Sequence, residues 1–379
     1  MILNDDKIPN FGVSSFVFLS VVNIGILFLP SLLVNDVNND AWLLIILAGA
    51  ISIFLLYIIC KTGNKYCNLG FVETLRFLFG KVIGTVLAIP VAIYALLFIS
   101  LELRLFAEVT KIYLLHNTPL EFIIYPMIIL TVILARMGLE PITRTFGILL
   151  PVVILIILAL ILVFTQKSDI SNLRPYLTTP PLKYIKGLSS NMIAFAGFEV
   201  MLVIFPYIRE PKSAFKASMK GMVFVIALYA ILTIQCITGL GSEETKALVW
   251  PVMALTKSIS IPGGFLEGLE GLLSSAWVIL VFTSLVAFLY FFSVTAAGIF
   301  KHKKPKHFVS LALPIIYIIA LQGESIPNVF TLSNNVMKYF GTYTMIILPL
   351  LMYAFSFIRG NSRGDSRGDS RDDSPNKNN

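Results

Sequence analysis

VVNIGILFLP, residues 21–30, and AFAGFEVML, residues 194–202, decide the fold. Each lies in an apolar run long enough to cross a bilayer, and each places a glycine beside polar chemistry about halfway along that run. In the first, Asn23, Ile24 and Gly25 interrupt the apolar residues and Pro30 follows; in the second, Phe195, Gly197, Phe198 and Glu199 stand together. Irregular backbone at mid-bilayer depth is tolerated only where it is buried in protein or lines a water-filled cavity. Two glycine-interrupted spans at matching positions of two halves point to a binding site between discontinuous helices. The expected fold is an all-α integral membrane protein of about ten transmembrane helices, two inverted five-helix repeats in which helices 1 and 6 are broken.

The rest of the chain agrees with lipid as its solvent. Hydrophobic residues make up 57% of the 379 positions and charged residues 13%, about half the charged share of an ordinary globular domain. The apolar residues gather in blocks of about 20, the length a helix needs to cross the hydrocarbon. The expected spans are 11–33, 41–60, 82–115, 120–137, 144–165, 188–208, 217–240, 266–300, 308–321 and 336–357. These form one transporter-like domain over residues 1–358, with repeats at about 11–165 and 188–357. The first span lacks a basic leader and a small-residue cleavage site, so it is read as a span and not as a signal peptide.

A net charge of +8 does not make a nucleic-acid binder, because the basic residues sit in short runs between apolar blocks. Their distribution sets topology instead. With both termini in the cytoplasm, 20 Lys and Arg fall inside and 8 outside, Arg104 being within a span. The loop 166–187 dissents, with Lys167, Arg174, Lys183 and Lys186 on the outside. The tail 359–379 is a short imperfect repeat of Arg, Gly, Asp and Ser that has no apolar surface to bury, so it is expected to be disordered and cytoplasmic.

Ionisable residues inside spans cost about 2.5–3.5 kcal/mol each at the bilayer centre and face an interior or a cavity. Glu199 is the clearest, and either a ligand contact or a structural ion pair accounts for it. The third span adds a charge network of Glu102, Arg104 and Glu108, the last two at i and i+4 on one helical face, the spacing of a local salt bridge. In the eighth span, Thr283 and Ser284 are a possible cation site beside the broken first helix, although hydroxyls in helices also bond to their own backbone. Cys60, Cys67 and Cys236 have no CxxC spacing, and no metal site or cofactor is expected. No Ser/His/Asp, Cys/His or phosphate-cradling glycine pattern suggests an enzyme.

Several motifs taken in order carry a family likeness: NIGILFLP at 23–30, ELRLFAE at 102–108, HNTPL at 116–120, NLRP at 172–175, GFEVML at 197–202, LVWP at 248–251, FLEGLEGLL at 265–273 and Trp277. With these, the chain resembles the B subunit of bacterial spore germinant receptors, the permease-like member of the amino acid, polyamine and organocation transporter superfamily. The resemblance covers all but the tail. It implies a nutrient sensor of the spore inner membrane acting with a receptor A subunit and a lipoprotein C subunit. It also implies a germinant (amino acid, sugar or nucleoside) held between spans 1 and 6, with Gly25 and Gly197 as backbone elements and Asn23, Phe195 and Phe198 as contacts. Where family members can carry glycine twice in the first break, this chain has Asn23 and a single Gly25, which puts an amide donor and acceptor there. A secondary active amino acid transporter coupled to protons or sodium is the competing expectation.

Overall fold

A computed structural model describes residues 7–23, 25–259, 269–323 and 326–359. Ile24, the tail 360–379 and the first part of FLEGLEGLL lie outside the described residues. The described chain is almost entirely helical: α1 (Asn10–Val21), α2 (Gly25–Val37), α3 (Ala41–Lys65), α4 (Phe71–Phe79), α5 (Lys81–Tyr113), α6 (Leu120–Met137), α7 (Leu139–Phe164), α8 (Pro181–Asn191), α9 (Met201–Ile204), α10 (Ala214–Leu240), α11 (Ser242–Ala247), α12 (Pro251–Lys257), α13 (Leu269–Ile299), α14 (Lys306–Leu321), α15 (Ile326–Val336) and α16 (Leu348–Ile358). Two π-helical segments, Met337–Gly341 and Tyr343–Ile347, join α15 to α16 in one helical run.

Among the described residues, seven stretches are long and apolar enough to cross a membrane, and Asn10–Val21, Phe198–Tyr207 and Lys306–Leu321 are shorter apolar helices. The reading by hydropathy has ten spans because it counts broken helices 1 and 6 whole, separates span 1 from span 2, and admits the 16-residue α14 as span 9. In the structure α2 runs into α3 through a single 3-10 turn at Asn38–Asp40. The most apolar window of α13 is 72% buried and that of α7 only 22%, so α13 is central and α7 lies against lipid. At 33 residues, α5 would extend about 50 Å, longer than the hydrocarbon it crosses.

The halves run in opposite directions. α1 and α10 are parallel neighbours: the Ser14 hydroxyl donates to the Ala217 carbonyl at 2.6 Å, and further along the Tyr229 hydroxyl donates to the Val21 carbonyl at 3.1 Å. The segment ending broken helix 6 arrives where α1 begins, since the Ile8 N–H donates to the Tyr207 carbonyl at 2.8 Å and the Arg209 N–H to the Ile8 carbonyl at 3.0 Å. This end of the bundle also holds the end of α3, α4 and the end of α13, tied by the Arg76 guanidinium to the Ile299 carbonyl at 3.0 Å and by the Lys65 ammonium to Ser356 at 3.3 Å. The basic runs at 61–81, 209–220 and 301–306 therefore share one end, called here the basic end.

The dissenting loop is structured at the opposite end. Asp40, 1% exposed, accepts the N–H of Leu177 at 2.6 Å and of Thr179 at 3.1 Å. The Asn39 amide donates to the Arg174 carbonyl at 2.7 Å and the Thr179 hydroxyl to the Val37 carbonyl at 2.9 Å. Backbone groups of a long loop need such partners when they leave water. The loop that carries the four basic residues is thus folded, with residues 174–179 held against the α2–α3 turn.

Candidate functional site

Both breaks are closed by a polar side chain taking the N–H of a glycine two residues away. In the first, Val22 turns extended (φ −77°, ψ 101°) and ends α1; the Asn23 Oδ1 then accepts the Gly25 N–H at 2.9 Å. Asparagine competes in this way with the helix ladder. The carbonyls left over at the end of α1 find partners on other helices, Leu19 from the Thr283 hydroxyl at 3.2 Å and Val21 from Tyr229. In the second break Gly197 has φ +125°, a conformation only glycine adopts at little cost. The Glu199 Oε2 accepts the Gly197 N–H at 2.7 Å, and the Gly197 carbonyl accepts from the Ser20 hydroxyl at 3.2 Å.

Glu199 is fully buried, and its second oxygen accepts from the Tyr94 hydroxyl of α5 at 2.7 Å. Both of its oxygens are therefore engaged in holding the break to α5. Phe195 packs edge-on against Tyr229 with centroids 5.8 Å apart, and Phe198 is 0% exposed. Glu199→Gln keeps an acceptor for the Gly197 N–H and can donate its NH2 to the Tyr94 hydroxyl oxygen, reversing that bond, so it should stay within about 1 kcal/mol of the parent in stability and retain its response. Glu199→Leu orphans two buried donors and should sharply reduce folded yield. Equal collapse of both variants in detergent-solubilised yield would show that both acceptor oxygens of the carboxylate are required.

A hollow opens beside the breaks, toward the end away from the basic runs. It holds about 640 Å³ of atom-free space, mouth included, between α2, α5, α8 and the α15 run. Its polar groups are Asn23, Glu102, Asn191 and Ser333, and its apolar walls include Phe28, Phe98 and Met337. That is the make-up of a small-molecule site: mostly apolar, with a few convergent polar groups. Of the residues singled out by sequence, Asn23, Gly25 and Glu102 line this space. Phe195, Gly197, Phe198 and Glu199 lie in the packed layer behind it and do not line it. Phe28 of its wall packs on further aromatic rings, with Phe330 at 5.5 Å, and Trp250 of the LVWP motif meets Phe330 at 5.6 Å.

The charge network divides. Arg104 and Glu108 form a bridge of 2.7 Å with side chains 7% and 13% exposed, and the Arg104 guanidinium also donates to the carbonyls of Ala320 at 3.2 Å and Leu321 at 3.4 Å, at the end of α14. Glu102 turns the other way and accepts from the Ser284 hydroxyl at 2.6 Å. The two hydroxyls read as a cation pair point apart: Thr283 toward the Leu19 carbonyl of α1, Ser284 toward Glu102.

Several site residues escape a reading for glycines and charges. Tyr94, Phe98 and Glu102 recur every fourth residue, a stripe on one face of α5 that periodicity reveals once Glu102 is taken as its anchor. Asn191 sits at the end of α8, its amide donating to Asp36 of α2 at 2.7 Å and to the Gly187 carbonyl at 2.9 Å. No sequence signal distinguishes Ser333 from its polar neighbours in α15.

Comparison with known proteins agrees with this architecture. Among solved structures, the chain is similar to Mhp1, a nucleobase-cation-symport-1 family transporter in a closed conformation with bromovinylhydantoin bound, with a TM-score of 0.66 and 14% identity, covering 93% of this chain and 84% of that one. It is also similar to MhsT in complex with L-phenylalanine, with a TM-score of 0.62 and 15% identity, covering 92% and 98%. Identities this low establish a shared fold only: the broken-helix fold of these transporters. Among sequences, spore germination protein A2 of Bacillus subtilis (strain 168) is 30% identical over 355 residues, 93% of this chain and 95% of the relative. Spore germination protein YndE of the same organism is 29% identical over 333 residues, 88% and 91%. With the Spore_permease family model, described as spore germination protein, matching residues 7–329, the chain belongs to the spore germination permease family.

Proposed function

We propose that this chain is the germinant-sensing membrane subunit of a spore nutrient receptor, and that the hollow between α2, α5, α8 and α15 holds the nutrient. The observation that carries this reading is the polar set in the hollow: a carboxylate, two carboxamides and a hydroxyl from four elements, within apolar walls. Such a set suits an amino acid. Its ammonium meets Glu102, its carboxylate lies at the start of α2 where the helix dipole favours an anion, and its apolar side chain faces Phe28, Phe98 and Met337. Asn23 joins the contact set as the sequence reading has it, whereas Gly197, Phe195, Phe198 and Glu199 shape the wall from behind. Two fold neighbours, in complex with L-phenylalanine and with bromovinylhydantoin, themselves hold small ligands. A nutrient acts by preferring one arrangement of the two broken helices over another, and partner A and lipoprotein C subunits pass that shift on. The basic end faces the cytoplasm under the positive-inside rule, which puts both termini inside and the hollow's mouth on the outer side of the spore inner membrane.

Binding of a panel of amino acids, sugars and nucleosides to the purified chain tests the reading. At least one amino acid should bind, and Glu102→Gln should weaken it by about tenfold or more, the value of one charge-assisted contact. Binding by no member of the panel, or a sugar binding equally well to both proteins, defeats the assignment. The fold also supports a secondary transporter, since its solved neighbours include symporters. Vesicles containing this chain alone would then accumulate the bound amino acid under a proton or sodium gradient, while flat uptake with intact binding leaves the sensor.

A further inference from the structure

A second cavity lies far from the nutrient hollow, in the groove where α1, α7 and α10 meet near the basic end. It encloses about 1030 Å³ of atom-free space, mouth included. The three helices run parallel and begin at the same end: the Gln235 amide of α10 donates to the Ile161 carbonyl of α7 at 2.7 Å, as Ser14 and Tyr229 tie α1 to α10.

The lining changes character along the helix axes. At the start of the helices it carries Asn10, Ser213, Lys216 and Lys220; one or two turns deeper it is Phe18, Leu150, Ile154 and Phe224. Lys216, Lys220 and Phe224 follow one another at intervals of four, on one face of α10. Both lysines are exposed and form no ion pair among the described residues. Glu210, at the same end, is held by the Asn10 amide at 3.0 Å and the Ser213 hydroxyl at 3.1 Å, and stands outside the lining. Phe11 and Phe224 flank the groove at 63% and 62% exposure, as large apolar side chains do where lipid covers them.

We propose that this groove is a binding site for one anionic phospholipid. Its phosphate sits between Lys216 and Lys220, and an acyl chain lies over Phe18, Ile154 and Phe224. The charge of the rim complements a phosphodiester, and the order from cationic rim to apolar floor matches the order from headgroup to chain. Basic pockets between transmembrane helices on the cytoplasmic side take anionic headgroups for this reason. The bound lipid braces the start of α1 against α7 and α10, so it acts on the half-helix that leads into the first break. This site is separate from the nutrient hollow and does not depend on that assignment.

The test uses the full chain in phosphatidylcholine nanodiscs with increasing phosphatidylglycerol, with tightly retained lipids counted by native mass spectrometry after release. Lys216→Gln with Lys220→Gln is compared with Lys303→Gln with Lys304→Gln, which removes equal charge from the same end but away from the groove. The groove pair should lose phosphatidylglycerol affinity by roughly twentyfold and the control pair by less than about twofold, given the usual contribution of each basic side chain at an anionic surface. Equal losses in both pairs would reduce the effect to general attraction and overturn the site. So would unchanged binding in the groove pair, or phosphatidylcholine retained as well as phosphatidylglycerol. None of these readouts involves a germinant.

Discussion

Gly197→Ala is expected to abolish the nutrient response and to reduce the yield of monodisperse protein severely. Two costs combine at this residue. Its φ of +125° lies in a region that costs an L-residue about 1–3 kcal/mol. A Cβ built there would also stand 2.3 Å from the Ser20 carbonyl oxygen and 2.9 Å from the Val21 Cα, both main-chain atoms that no rotamer change can move. Relief requires pushing the end of α1 away from the second break, which strains the Ser20–Gly197 bond. Gly25 is a gentler position: among the described residues, the one neighbour a Cβ would meet is the Asn23 Oδ1 at 3.1 Å, the end of a side chain. Gly25→Ala should therefore retain folded protein with a weakened response. Size-exclusion profiles and response assays on the two variants check the order, and a normal Gly197→Ala protein would mean that the two breaks do not touch.

The second large effect is expected at Arg104. Arg104→Ala leaves Glu108 largely buried without its cation and strips a donor from the last carbonyls of α14, and breaking such a pair from one side costs about 3–5 kcal/mol. Because the penalty is mostly that of a stranded charge, Arg104→Met combined with Glu108→Leu should recover much of the lost thermal stability. Recovery should stay incomplete, since methionine offers nothing to Ala320 and Leu321. Thermal unfolding of the three proteins in one detergent measures this. A single variant as stable as the parent would show that water reaches Glu108.

Most of the fold was legible because hydrocarbon imposes one rule on every span. The expected span 120–137 coincides with α6, bounded by a proline before and a glycine after. Where polar residues dilute the apolar signal, the reading fell short. The tenth span begins at Ile326 and not at 336, because Asn328, Ser333, Asn334 and Asn335 mask a helix whose Ser333 faces the hollow. The short α4, between Gly70 and Gly80, was hidden for a similar reason, as an amphipathic element lying outside the spans. The breaks were found from glycine beside a polar residue, and the same polar residues turned out to hold them shut. Glycine and charge mark where a helix yields, but they do not say on which side of the yield point the empty space lies. That depended on Phe98, Asn191 and Met337, three ordinary residues brought together by packing.

The pairing of Ile8 with Tyr207 and Arg209 stitches one broken helix to the other through their backbones. Main-chain atoms alone make the stitch, so it is indifferent to most changes of side chain; only an imino acid at position 8 or 209, lacking the hydrogen, would unpick it. While it holds, the start of the first discontinuous rod and the end of the second travel together.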